Sequence, residues 1–162
     1  MENSGSFSKT ITEELEKFGK ISFVPSGDSM WPTIKGKRQS VIVCKKEGRL
    51  SPYSIGLFIR PDGRVVLHRV LEVSDNGYVF CGDSQFNKER VPSDRVIGVA
   101  IGYYRGKNYI PADENEKDRA KKWFSDDKKR KRKVNAYFFR KKWKTRFIKL
   151  IKLEYFKGKK NV

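Results

Sequence analysis

Apolar positions along this chain of 162 residues follow three successive regimes. Near the N-terminus, Ile11, Leu15 and Phe18 fall at i, i+4 and i+7, one face of a 3.6-residue period. That spacing predicts a short helix over 8–18 within an N-terminal segment 1–19. Thr10 with Glu13 matches a capping box, and Gly19 is suited to stop the helix. From 20 to 110 the pattern turns to short β-type runs, with strands predicted at 20–25, 40–45, 55–60, 64–73, 77–82 and 96–105. Pro61-Asp62-Gly63 and Asp75-Asn76-Gly77 supply turn chemistry between them. Val96-Ile97-Gly98-Val99-Ala100-Ile101 is almost continuously apolar, which suits a strand buried on both faces or a closed, coiled sheet. Gly98 and Gly102 suit bends in such a sheet.

The third regime is basic. Residues 111–134 open on the acidic stretch Pro111-Ala112-Asp113-Glu114-Asn115-Glu116 and end in the run Lys128–Lys133, which reads as a charged, solvated linker. In the tail, 135–162, Phe139, Trp143, Phe147, Leu150 and Ile151 return at helical spacing, with Arg140, Lys141, Lys144 and Lys152 largely elsewhere. That predicts a basic amphipathic helix. Residues 1–116 carry 17 Lys/Arg against 15 Asp/Glu, whereas residues 117–162 carry 20 against 4, so the high isoelectric point belongs to the tail. The aromatic anchors among lysines favour an anionic membrane surface as partner. A helix docked on the body comes second, and nucleic acid phosphates third. No stretch approaches the ~20 apolar residues of a spanning helix, and the first residues lack a basic-then-apolar signal pattern. The expected location is cytoplasmic, peripheral at the inner face of the membrane.

Cys44 and Cys81 lie in apolar runs without ligand-type spacing, so two reduced core thiols are expected, with no metal and no cofactor. The chemistry gathers elsewhere. Gly27-Asp28-Ser29-Met30-Trp31-Pro32-Thr33 holds a small hydroxyl between glycine and proline, just after a predicted strand. A serine becomes a nucleophile only with a base in hydrogen-bond reach and a third group fixing that base. His68, the single histidine, has the pKa for that role. Asp83 follows Gly82 at the end of the neighbouring strand, where the 75–77 turn would bring it beside His68. Backbone N–H groups of the Gly27 turn could line an oxyanion hole. Taken singly, His68 reads as a core histidine, Asp83 as a turn residue and Ser29 as a cap.

Their order adds to this. Gly27-Asp28-Ser29-Met30-Trp31-Pro32, then Val65–Leu67 with His68-Arg69-Val70, then Gly82-Asp83, resembles the signal peptidase I superfamily over residues 20–104. That superfamily also contains self-cleaving repressors. The resemblance implies a mainly β, coiled antiparallel fold and a serine endopeptidase that cleaves a leader or other peptide. Ser29 would be the acyl-forming nucleophile, His68 the base where most bacterial members have lysine, and Asp83 its helper. Gly27, Met30 and Pro32 would support the serine loop. Asp94, before the closing strand, fits a structural role. The chain departs from the family pattern at Gly36-Lys37 and Gly56-Leu57, where members often carry Gly-Asp. A self-cleaving regulator would want an Ala-Gly or Cys-Gly bond ahead of Ser29, and neither dipeptide is there. A non-enzymatic β module with a binding tail is the remaining alternative.

Overall fold

The structure is a computed structural model that describes the backbone of residues 4–158 and the side chains of residues 8–146. It is mainly antiparallel β. The elements run α1 (Ser4–Phe18), β1 (Lys20–Phe23), β2 (Val41–Lys45), β3 (Ile55–Ile59), β4 (Val65–Ser74), β5 (Gly77–Cys81), β6 (Glu89–Pro92), β7 (Val96–Arg105), β8 (Asn108–Pro111), α2 (Glu114–Phe124) and α3 (Asp127–Gly158). They fall into two compact units, Met1–Ser125 and Asp126–Val162.

In the first unit all eight strands join one sheet in the order β1-β2-β7-β3-β4-β5-β6, with β8 paired to β7. Each face of the sheet carries its own apolar cluster. Ile55, Leu57 and Leu67 point into the one that holds Ile11 and Leu15 of α1. Phe58, Val70 and Phe80 point into the other. Burial on both faces explains why β3 and β7 read as unbroken apolar runs rather than alternating ones. The alternation still assigns sides: Val66, His68 and Val70 share the Phe80 face, and Leu67 and Arg69 share the α1 face.

α1 begins earlier than its apolar period indicates, so Thr10 lies inside the helix rather than at its cap. Gly19 does stop it, at φ +70° with its N–H on Leu15 O. Phe18 is 62% exposed and takes no part in the buried face. Two strands carry no clear sequence signal. β6 buries only Val91, and β8 exposes three of its four residues and ends in proline; both have the polar, proline-bearing composition of sheet edges.

Residues 111–134 are not a linker. Asp113 caps α2 by accepting the Glu116 N–H at 3.0 Å. Asp126 Oδ1 accepts the Lys129 N–H at 2.8 Å, and the run Lys128–Lys133 is helical from there. Good N-caps and the high helix propensity of Lys and Arg outweigh the repulsion of like charges. Among the described residues no helix is long and apolar enough to cross a membrane.

Candidate active site

Ser29 lies in the irregular segment between β1 and β2. A series of turns shapes it: Trp31 N–H donates to Asp28 O at 3.0 Å, Ile34 N–H to Met30 O at 2.8 Å, and Lys37 N–H to Pro25 O at 2.7 Å. Asp28 Oδ1 accepts the Gly36 N–H at 3.1 Å, tying the two ends of the loop. Met30 and Ile34 are buried in the α1-side core and pin it from beneath. Pro32 follows a cis peptide bond. Ser29 itself stays half-buried at the top.

The turn after β5 clamps this loop from the other side. Ser84 donates its N–H to Ser29 O at 2.9 Å, and its hydroxyl to Asp28 O at 2.9 Å and Ser29 O at 3.1 Å. Gly82 is what allows the approach. A Cβ there would lie 2.7 Å from Ser29 O and 3.1 Å from His68 Nε2. The serine backbone and the Nε2 edge of the imidazole therefore converge on the space that the glycine leaves empty.

His68 is 2% exposed, and its ring meets Phe58 edge-on at 6.0 Å between centroids. Its other nitrogen, Nδ1, lies 3.1 Å from Glu89 Oε1, at an approach too bent for a full hydrogen bond. Burial holds the imidazole pKa below its ordinary value, against the opposing pull of Glu89, so His68 is neutral and able to accept a proton near pH 7. Glu89 is held by Arg60, whose Nε and Nη2 donate to its two oxygens at 2.6 Å each. Burial raises the Glu89 pKa, but Arg60 outweighs this, and the carboxyl titrates below its usual range.

Asp83 is placed differently from the sequence reading. Its carboxylate is 1% exposed and accepts from Arg69 Nε at 3.0 Å, from Arg69 Nη2 at 2.7 Å and from the Thr33 hydroxyl. Strand register is the cause. Arg69 pairs with Cys81, and Asp83 lies two residues on, so it falls on the Arg69 face. On the opposite face Val70 pairs with Phe80 and Phe80 with Glu89, so the carboxylate beside His68 is Glu89. Arg69 is fully buried and also holds Glu116 of α2, through Nη1 at 2.7 Å and Nη2 at 3.0 Å, and Tyr53 O at 2.8 Å. Trp123, at the end of α2, donates its indole N–H to Asp83 O at 2.7 Å and meets Trp31 edge-on at 6.0 Å. Asp94 is exposed in a single turn before β7.

Ser29 and His68 both line a groove of about 610 Å³, with Gly27 and Met30 on the serine side. Among the described residues no hydrogen bond joins Ser29 to His68, and the Ser29 N–H has no acceptor. Opposite the Phe23–Gly27 wall, Val65–His68 of β4 pair only with β3; pairing with β5 begins at Arg69. That leaves a stretch of strand edge facing the groove. No cluster of three or more His, Cys, Asp or Glu among the described residues is placed to hold a metal.

Of the residues assigned to the tail surface, Phe139 and Trp143 are 63% and 61% exposed. Phe147, Leu150 and Ile151 lie outside the residues whose side chains are described. Within the described part of α3, Arg130 and Val134 are buried and Tyr137 is half-buried. Residues 128–133 are all cationic, and Phe138 lies about 100° around the helix from Phe139. Comparison with known proteins gave no family model, no curated protein and no solved structure that matches this chain.

Proposed function

We propose that unit 1 is a serine endopeptidase of signal-peptidase type, with Ser29 as nucleophile and His68 as general base. One observation carries the reading: the neutral imidazole's Nε2 edge and the Ser29 backbone converge at Gly82 on one groove. The peptide would lie extended along the free edge of Val65–Leu67, its carbonyls and amides continuing the sheet. Ser29 Oγ attacks the scissile carbonyl carbon while His68 Nε2 takes the hydroxyl proton. The tetrahedral oxyanion is met by backbone N–H groups at Ser29. As the C–N bond breaks, His68 returns the proton to the leaving amine, and a water activated by the same imidazole then hydrolyses the acyl-enzyme. Glu89 orients Nδ1 and stabilises the imidazolium. Asp83 acts one step removed, holding the Gly82–Gln85 turn against Arg69. Binding of substrate tightens the Ser29–His68 contact, as is usual for catalytic hydrogen bonds that are loose in the free enzyme.

The test is covalent labelling of purified protein with a fluorophosphonate probe, located by peptide mass. Stoichiometric adduct on Ser29, lost in Ser29→Ala and strongly slowed in His68→Ala, is the expected result. A folded protein that takes no label at Ser29 leaves unit 1 as a non-enzymatic module.

A further inference from the structure

The second unit carries a surface that peptide hydrolysis does not use. Over residues 127–146, α3 has ten exposed Lys/Arg, a buried Arg130 paired with Asp127, and no other acidic residue. In that field Phe139 and Trp143, one turn apart, are each more than three-fifths exposed, with ring centroids 6.2 Å apart. Arg140, Lys141 and Lys142 follow Phe139 at steps of about 100°, so cations flank the ring pair on both sides. A partner that offered phosphates alone would engage the charges and leave two large rings in water. Duplex nucleic acid, whose bases are already stacked, has that shortcoming. The boundary between lipid headgroups and acyl chains uses both features. Aromatic rings settle at headgroup depth, and lysine and arginine stems reach along the apolar layer to lipid phosphates. The cations around the helix keep it from going deeper, in keeping with the absence of a spanning helix among the described residues.

We infer that α3 binds flat on an anionic lipid bilayer, with Phe139 and Trp143 entering the interface and the neighbouring basic residues on lipid phosphates. The inference concerns unit 2 and holds whether or not unit 1 hydrolyses peptides.

The experiment is co-sedimentation of the full chain with phosphatidylcholine vesicles, with and without phosphatidylglycerol, at low and high salt. The wild type should bind the anionic vesicles, at least about tenfold more weakly when they are neutral or in high salt. Phe139→Ser with Trp143→Ser keeps every charge and should weaken binding to anionic vesicles about tenfold. Brominated lipid should quench part of the wild-type tryptophan emission and none of that of Trp143→Phe, a readout that survives if the double variant folds poorly. Undiminished binding by a folded double variant would overturn the inference, as would quenching that persists in Trp143→Phe. Capture of duplex DNA or single-stranded RNA with no affinity for vesicles would assign the helix to nucleic acid instead.

Discussion

Gly82 and Glu89 set what His68 can do, and both act through distances of a few ångströms. An added methyl at Gly82 would meet the Ser29 carbonyl oxygen and the imidazole at once. Gly82→Ala should therefore lower kcat/KM by more than about a hundredfold, the scale of a small misplacement at a reacting centre. Its thermal unfolding should shift far less than its activity; equal loss of both would mean that the glycine serves the fold alone. For pH, burial depresses the His68 pKa, so the acid limb of kcat/KM should lie below the ordinary imidazole value of about 6.5. Glu89 raises that pKa and Arg60 lowers it. Glu89→Gln should move the limb to still lower pH while reducing kcat, and a limb that moves upward would remove Glu89 from the imidazole's environment. The same depression gives a stability sign. The unfolded chain binds the proton first as pH falls, so stability declines from about pH 6.5 down to the folded-state pKa. The proposed pair, Ser29 and His68, stands out in the sequence because glycine–proline punctuation and a single histidine mark it. Glu89 was not, because its face depends on a pairing with Phe80 in a strand that has one buried apolar residue.

Among the elements, α2 is the one whose role could not be read from composition. Glu114–Phe124 is lysine-rich and acidic at its start, the pattern of a solvated helix or linker, yet Glu116 is 2% exposed. Its carboxylate and that of Asp83 share one guanidinium, so α2, β4 and the turn after β5 meet at Arg69. A charge network between elements distant in sequence leaves no local signal. The His-Arg-Val motif held a hint, since neighbours on a strand point to opposite faces and an arginine facing a core needs carboxylates. Arg69→Met should cost about 3–5 kcal/mol, because it strands two buried carboxylates. Glu116→Gln keeps the shape and should cost about 1–2 kcal/mol. Chemical denaturation of the two variants checks the order. A Glu116→Gln loss as large as that of Arg69→Met would mean that the helix, rather than the guanidinium, organises the cluster.

At the scale of the molecule, the charge excess and the proposed chemistry occupy different units. Residues 1–125 carry 21 Lys/Arg against 16 Asp/Glu, and residues 126–162 carry 16 against 3. The composition shift was visible in the sequence, but the point at which to divide the chain was not, since the acidic opening of α2 resembles the start of a linker. The difference matters for any truncation. A chain ending at Asp113 keeps Ser29, His68 and Glu89 but loses Glu116 and Trp123. Arg69 is then left with one of its two carboxylates and a path to water, and the Asp83 carbonyl loses its indole donor. A chain ending at Ser125 keeps all of these, together with every residue that lines the groove. The Ser125 chain should therefore turn over a short peptide at within about twofold of the full-length rate, as expected for a change remote from the reacting groups. It should also fail to sediment with anionic vesicles. The Asp113 chain should melt well below it and lose turnover. Calorimetry and a fluorogenic peptide assay on the two truncations separate the cases. A Ser125 chain that unfolds with the Asp113 chain would make residues beyond 125 part of the scaffold for catalysis. A Ser125 chain that stays active and still binds vesicles would move the lipid surface off α3.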